Sequence, residues 1–135
     1  MRKKVKKLKQ IPSIISNTKV PIRVLYKKVG QIPEVKIISD VYKLKKAIVQ
    51  RNLDIISYEK LFIICHNKKT NFHMPPNIFL PFNRVVGDFI VVDIDRKKRE
   101  FKSLSQEDII WYSEDLINKA PPNTTMVSRD KKLTK

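Results

Sequence analysis

Apolar residues in this chain fall mostly in short runs with strand periodicity, and only two stretches carry them at helical spacing. From Val20 to Lys27 the run Val-Pro-Ile-Arg-Val-Leu-Tyr-Lys is β-branched and partly alternating, and Pro21 places it at a strand start or on a sheet edge. Gly30 and Pro33 punctuate a turn. Glu34 to Ile38 then alternates polar and apolar residues as a half-buried strand does, so the two runs predict a hairpin. Asp40 is placed to cap a helix in which Val41, Leu44 and Ile48 share one face, while Lys43, Lys46 and Gln50 share the other. That second face reads first as solvent-exposed and second as a basic ridge that tracks phosphates.

Leu53 to Tyr58 and Leu61 to Cys65, separated by Glu59 and Lys60, predict a second hairpin with a fully buried inner strand. His66 to Asn71 reads as a turn, and Met74-Pro75-Pro76-Asn77 as a rigid loop, because consecutive prolines oppose a central strand or a helix interior. Val85 to Ile94 predicts one long strand in which Gly87 marks a bulge or a close backbone approach. Asp95 to Lys98 turn the chain, and Arg99 to Lys102 return as a short partner strand. Ser105, with Asp108 three residues on, opens a helix whose face is Ile109, Tyr112 and Leu116 and which Pro121-Pro122 stop. The order is hairpin, helix, hairpin, proline loop, hairpin, helix. It predicts an α+β fold, a mainly antiparallel sheet built from hairpins with two packed helices.

Length and charge add limits. The 135 residues fit one domain, assigned to residues 20–119, between a basic flexible tail at 1–12 and a polar, basic C-terminal tail at 121–135. The net charge is +16. Arg2, Lys3, Lys4, Lys6, Lys7 and Lys9 crowd the start, yet the middle of the chain remains basic without either tail. Codon bias toward Lys is the plain alternative, but such a bias enriches Glu as readily, and Glu is scarce here. The surplus points to a polyanion, with a nucleic acid or nucleoprotein complex ahead of an acidic protein surface. A single cysteine, Cys65, precludes an internal disulfide framework and suits a reducing compartment. With no long apolar run and no secretory signal pattern, the expectation is a cytoplasmic protein with no membrane partner.

Chemistry-bearing residues are few. Asn77 is placed to present its amide from the proline loop, with Phe79, Phe82 and Arg84 beside it as a partner-binding surface; turn closure and lid packing are the competing roles. Phe72, Trp111 and Tyr112 are further stacking candidates, although Tyr112 falls on the apolar helix face. Cys65, His66 and His73 lack the paired spacing of a zinc site, and neighbours on a strand face opposite ways, so neither a metal nor a cofactor is expected. Asp88 or Asp93 followed by Glu100-x-Lys102 matches the order of a metal-dependent nuclease, but a chain this rich in charge produces that triplet readily. No catalytic residue is assigned.

The series Met74-Pro75-Pro76-Asn77-x-x-Leu80-Pro81, then Val86-Gly87-Asp88-Phe89-Ile90-Val91-Val92, then Phe101-x-Ser103-Leu104-Ser105-x-Glu107-Asp108 resembles domain-of-unknown-function family 3846. The likeness covers roughly residues 20–119 and departs at Gln50-Arg51-Asn52 and at Ile78. It implies a small accessory protein of phages, plasmids or conjugative elements, with a possible counter-defence setting and no established chemistry. The combined expectation is a non-enzymatic protein that binds nucleic acid through Arg2 to Lys9 and the cluster Arg96, Lys97, Lys98 and Arg99. An inhibitor or adaptor docking on a host or phage protein is the alternative. Its oligomeric state is not legible.

Overall fold

A computed structural model describes residues 21–50, 53–67, 71, 73–81 and 83–121. Strands β1 (Ile22–Lys27) and β2 (Glu34–Ile38) form the first hairpin, helix α1 (Val41–Val49) follows, and β3 (Leu53–Tyr58) and β4 (Leu61–His66) form the second. β5 (Pro76–Leu80) and β6 (Asn83–Val86) make a separate two-stranded sheet. β7 (Phe89–Asp95) and β8 (Glu100–Lys102) form another hairpin, and α2 (Gln106–Asn118) comes last. Two helices packed on a mainly antiparallel sheet are the α+β architecture that the hydrophobic pattern predicts.

The main sheet runs β2-β1-β7-β4-β3, with β8 added on β7. β7 is central because its apolar residues face both ways: Phe89 and Val91 join one core cluster, Val92 and Ile94 the other. β1 pairs with β7 only through Leu25, Tyr26 and Lys27. Before that point Arg23 binds the segment following β8: its backbone N–H donates to Ser103 Oγ at 2.9 Å, and its guanidinium donates twice to the Leu104 carbonyl. The entry to α2 is thereby tied to the first strand.

Each sheet face has its own cover. On one face α1 contributes Val41, Leu44 and Ile48 against Ile22, Val24, Phe62, Ile64 and Val92. On the other, α2 contributes Ile109, Tyr112 and Leu116, and the β5–β6 hairpin contributes Ile78 and Val85, against Leu25, Ile63 and Val91. Both helices begin at the expected caps: an Asp40 carboxylate oxygen accepts from the Lys43 N–H and Ser105 Oγ from the Asp108 N–H, each at 3.0 Å. Lys119 is the C-cap residue of α2, and its ammonium reaches back to Asp115.

Two expectations are corrected. The proline segment is not a loop throughout, because Pro76 begins β5; proline is tolerated at the first residue of a strand, and β5 pairs only with β6. The single strand expected over Val85 to Ile94 is two strands, broken at Gly87 and Asp88. Gly87 has φ +72°, and an added Cβ would lie 2.8 Å from Met74 Sδ and 2.9 Å from His66 Cδ2. The glycine thus marks a close approach at a turn between strands of two different sheets.

Candidate nucleic-acid interface

The two helices carry opposite charge. α1 has Lys43, Lys45 and Lys46 and no acid, whereas α2 has Glu107, Asp108, Glu114 and Asp115 and no base. Because the helices cover opposite sheet faces, this difference divides the molecule electrostatically.

On the α1 side, alternation turns Tyr26 toward the face shared by Ile22 and Val24, and strand pairing sets Lys36 opposite Val24 on the same face. The Lys36 ammonium lies 5.1 Å from the Tyr26 ring centroid and that of Lys28 5.9 Å, so two cations flank one aromatic ring. Beyond the other end of this face, the Arg96 guanidinium lies over the Phe62 ring at 5.2 Å. Arg96, Lys97, Lys98 and Arg99 are all exposed in the β7–β8 turn. Asp95 fixes that turn: its carboxylate accepts from the N–H groups of Lys97 and Lys98 at 3.0 Å each, and its carbonyl accepts from the Arg99 N–H at 2.7 Å. The backbone hydrogen bond from Lys98 is the leading influence holding the Asp95 carboxyl below its ordinary value. Arg99 takes left-handed backbone at φ +53°, which closes the turn around the anchored carboxylate. Four cations are therefore displayed on a short, hydrogen-bonded segment.

On the α2 side the charges neutralise one another. Lys60 pairs with Asp108 at 3.5 Å, Lys102 with Asp93 at 3.7 Å and Lys119 with Asp115 at 3.1 Å. Asp115 also accepts from the Tyr58 hydroxyl at 2.5 Å, and burial first, with that carboxylate second, raises the Tyr58 pKa well above the ordinary tyrosine value. Burial raises the Asp93 carboxyl, and the Lys102 ammonium opposes the shift. Lys102, the residue on which a nuclease reading depends, is thus held by Asp93 across the β7–β8 ladder. Asp88 is engaged elsewhere, accepting from the Val29 N–H at 2.9 Å and the Tyr26 hydroxyl at 3.3 Å. Among the described residues no three His, Cys, Asp or Glu side chains gather to hold a metal ion.

The remaining expected site residues separate. Arg2, Lys3, Lys4, Lys6, Lys7 and Lys9 lie outside the described residues, as do Phe72 and Phe82. Phe79 and Arg84 stand opposite each other on the β5–β6 hairpin and are both exposed. Asn77, expected to be presented outward, is buried instead, at 1% exposure. The cause is a bulge: pairing jumps from Pro76–Val86 to Ile78–Val85, so Asn77 is the unpaired residue and turns inward beside the buried Ile78. Its amide N–H groups donate to the Lys27 and Gly87 carbonyls, and its Oδ1 accepts from the Lys27 ammonium at 2.7 Å. Lys27 is fully buried, also donating to the Lys28 carbonyl, and desolvation lowers its pKa to about 8 against the opposing pull of Asp88.

The sequence pattern also left Lys28, Lys36 and Lys45 unremarked. The signal for Lys36 was its register opposite Val24, which no periodicity reveals. The family model of a domain of unknown function, DUF3846, matches residues 22–117. The chain belongs to the DUF3846 family. The matched span runs from the start of β1 to the penultimate residue of α2, so the DUF3846 unit includes the whole sheet and both helices. No curated protein and no solved structure matches the chain. No helix among the described residues is long and apolar enough to cross a membrane.

Proposed function

We propose that this DUF3846 protein is a basic accessory protein of a phage, plasmid or conjugative element that binds nucleic acid, free or within a nucleoprotein complex, in the cytoplasm of the host cell. It acts by binding and carries out no reaction of its own. The observation that carries this reading is the segregation of charge, with cations on the α1 side and in the Arg96–Arg99 turn while acids collect on α2. Lysines occur on both faces, but Lys60, Lys102 and Lys119 on the α2 side are paired with carboxylates. Lysine and arginine ends set around an exposed helix neutralise phosphates without reading bases, so little sequence preference is expected. Tyr26 carries the Lys28 and Lys36 ammonium groups over its ring at the same surface.

The test is a gel-shift or filter titration over a range of salt. If about four phosphates are neutralised, affinity falls roughly 100-fold between about 50 and 200 mM salt. An affinity that stays constant over that range removes the proposal.

A second reading has its own support. Ile110, Trp111 and Ile117 are exposed on the outer side of α2 at 61%, 50% and 39%, and Phe79 is exposed where the β5 backbone meets the helix end, its N–H donating to the Lys119 carbonyl. Such a surface fits an adaptor or inhibitor docking on a host-defence or phage protein. Trp111→Ala separates the two readings, because it weakens protein docking and leaves phosphate-led binding intact.

A further inference from the structure

We infer that two copies of this chain join through β2 into one continuous antiparallel sheet. Among the described residues β2 pairs only with β1, so its outer edge presents backbone donors and acceptors with no strand beside them. Its side chains on the α2 face, Val35 and Ile37, are 47% and 59% exposed, the least covered apolar pair in the sheet. Glu34 to Ile38 contains no proline and no bulge, and its register with β1 is unbroken over five residues, so the charges of Glu34 and Lys36 are what guard this edge against other strands.

The occupant is identified by register. When identical strands pair about a two-fold axis perpendicular to the sheet, opposite residues must lie on the same face, so only registers centred on a residue are allowed. Centring on Glu34 or on Lys36 sets like charges opposite each other, centring on Ile37 sets Glu34 against Asp40, and centring on Ile38 sets Lys36 only against Asp40, which lies beyond the strand and caps α1. Centring on Val35 places Glu34 opposite Lys36 of the second copy, twice by symmetry, and sets Val35 against Val35 and Ile37 against Pro33. This strand is therefore complementary to itself in one register, with no net charge at the seam of a strongly basic molecule. Both α1 layers then lie on one side of the joined sheet, doubling the cationic face; that consequence rests on the proposed nucleic-acid reading, whereas the dimer does not.

The experiment is sedimentation equilibrium of the full chain without nucleic acid, at moderate salt and tens of micromolar protein, giving twice the chain mass. Glu34→Lys and Lys36→Glu each return the chain to a monomer, and the double swap restores the dimer. Circular dichroism checks that these variants on an exposed strand remain folded. Val35→Cys forms an intermolecular disulfide on oxidation, since directly opposite Cα atoms lie about 4.5 or 5.5 Å apart in either type of antiparallel pair. Ile37→Cys does not, because its symmetry mates are offset by four residues. A monomeric parent chain overturns the inference even if it binds nucleic acid, and a dimer indifferent to the charge swaps overturns the register.

Discussion

A lysine buried against an amide, with no carboxylate bonded to it, is an unusual choice, and the pair of Lys27 and Asn77 has measurable consequences. The folded pKa of Lys27 is about 8, below its value in the unfolded chain, so between that pH and about 10.5 the unfolded state holds more protons. Stability contributed by this group therefore rises with pH across that window. Unfolding free energies from denaturant titrations between pH 7 and 10 should increase, by on the order of 2 kcal/mol, before ionisation of the unfolded chain's tyrosines reverses the trend. Lys27→Met should flatten the rise. Asn77→Leu is the harsher change, because it leaves the Lys27 ammonium without its amide acceptor and two carbonyls without their donor. A loss of about 2–4 kcal/mol is expected in urea unfolding, and a near-neutral result would contradict a structural role for the bulge.

Elements differ in how well local chemistry announces them. Both helices were legible because cap and periodicity agree at each: Asp40 before Val41, Leu44 and Ile48, and Ser105 before Ile109, Tyr112 and Leu116, with Pro121-Pro122 as a stop for the second. Ser105→Ala should therefore cost about 1 kcal/mol in thermal or urea unfolding, with Asp40→Ala similar. The hairpins of the main sheet were legible for the same reason, since turn residues separate apolar runs. β5 and β6 were hidden because Pro75-Pro76 reads as a breaker, and because a bulge turns two consecutive residues inward, which no period of two can express. Gly87 was seen, but its meaning depends on Met74 and His66, which lie well before it in sequence and meet it only in the fold. Within the candidate interface, the Arg96–Arg99 cluster was legible as a charged turn, whereas the pairing of Lys28 and Lys36 about Tyr26 required the β1–β2 register. Asn77 misled because the residues flanking it favour a loop while its side chain satisfies a buried cation.

At the scale of the whole molecule, the proposed interface makes a prediction about slopes that is independent of absolute affinity. Each phosphate neutralised contributes about 0.9 to the dependence of log affinity on log salt for duplex DNA. Replacing Lys43 and Lys46 together with Gln should therefore lower the slope by roughly 1.8 if both ends contact phosphate, and replacing Arg96 and Lys97 should do the same. Glu107→Gln with Glu114→Gln changes the net charge by two in the opposite, positive direction, on the face that α2 covers. If the charges act by position, that pair leaves the slope unchanged and raises affinity only through the long-range field, an effect that vanishes at high salt. If net charge alone governs binding, the lysine variants weaken affinity about as much as the glutamate variants strengthen it, and neither face is distinguished. Removing residues 1–10 in the same assay apportions the remaining slope: a fall far larger than that of either body variant would transfer the main contact from the α1 face to the N-terminal cations. Equal slopes for every variant would mean that none of these cations meets a phosphate.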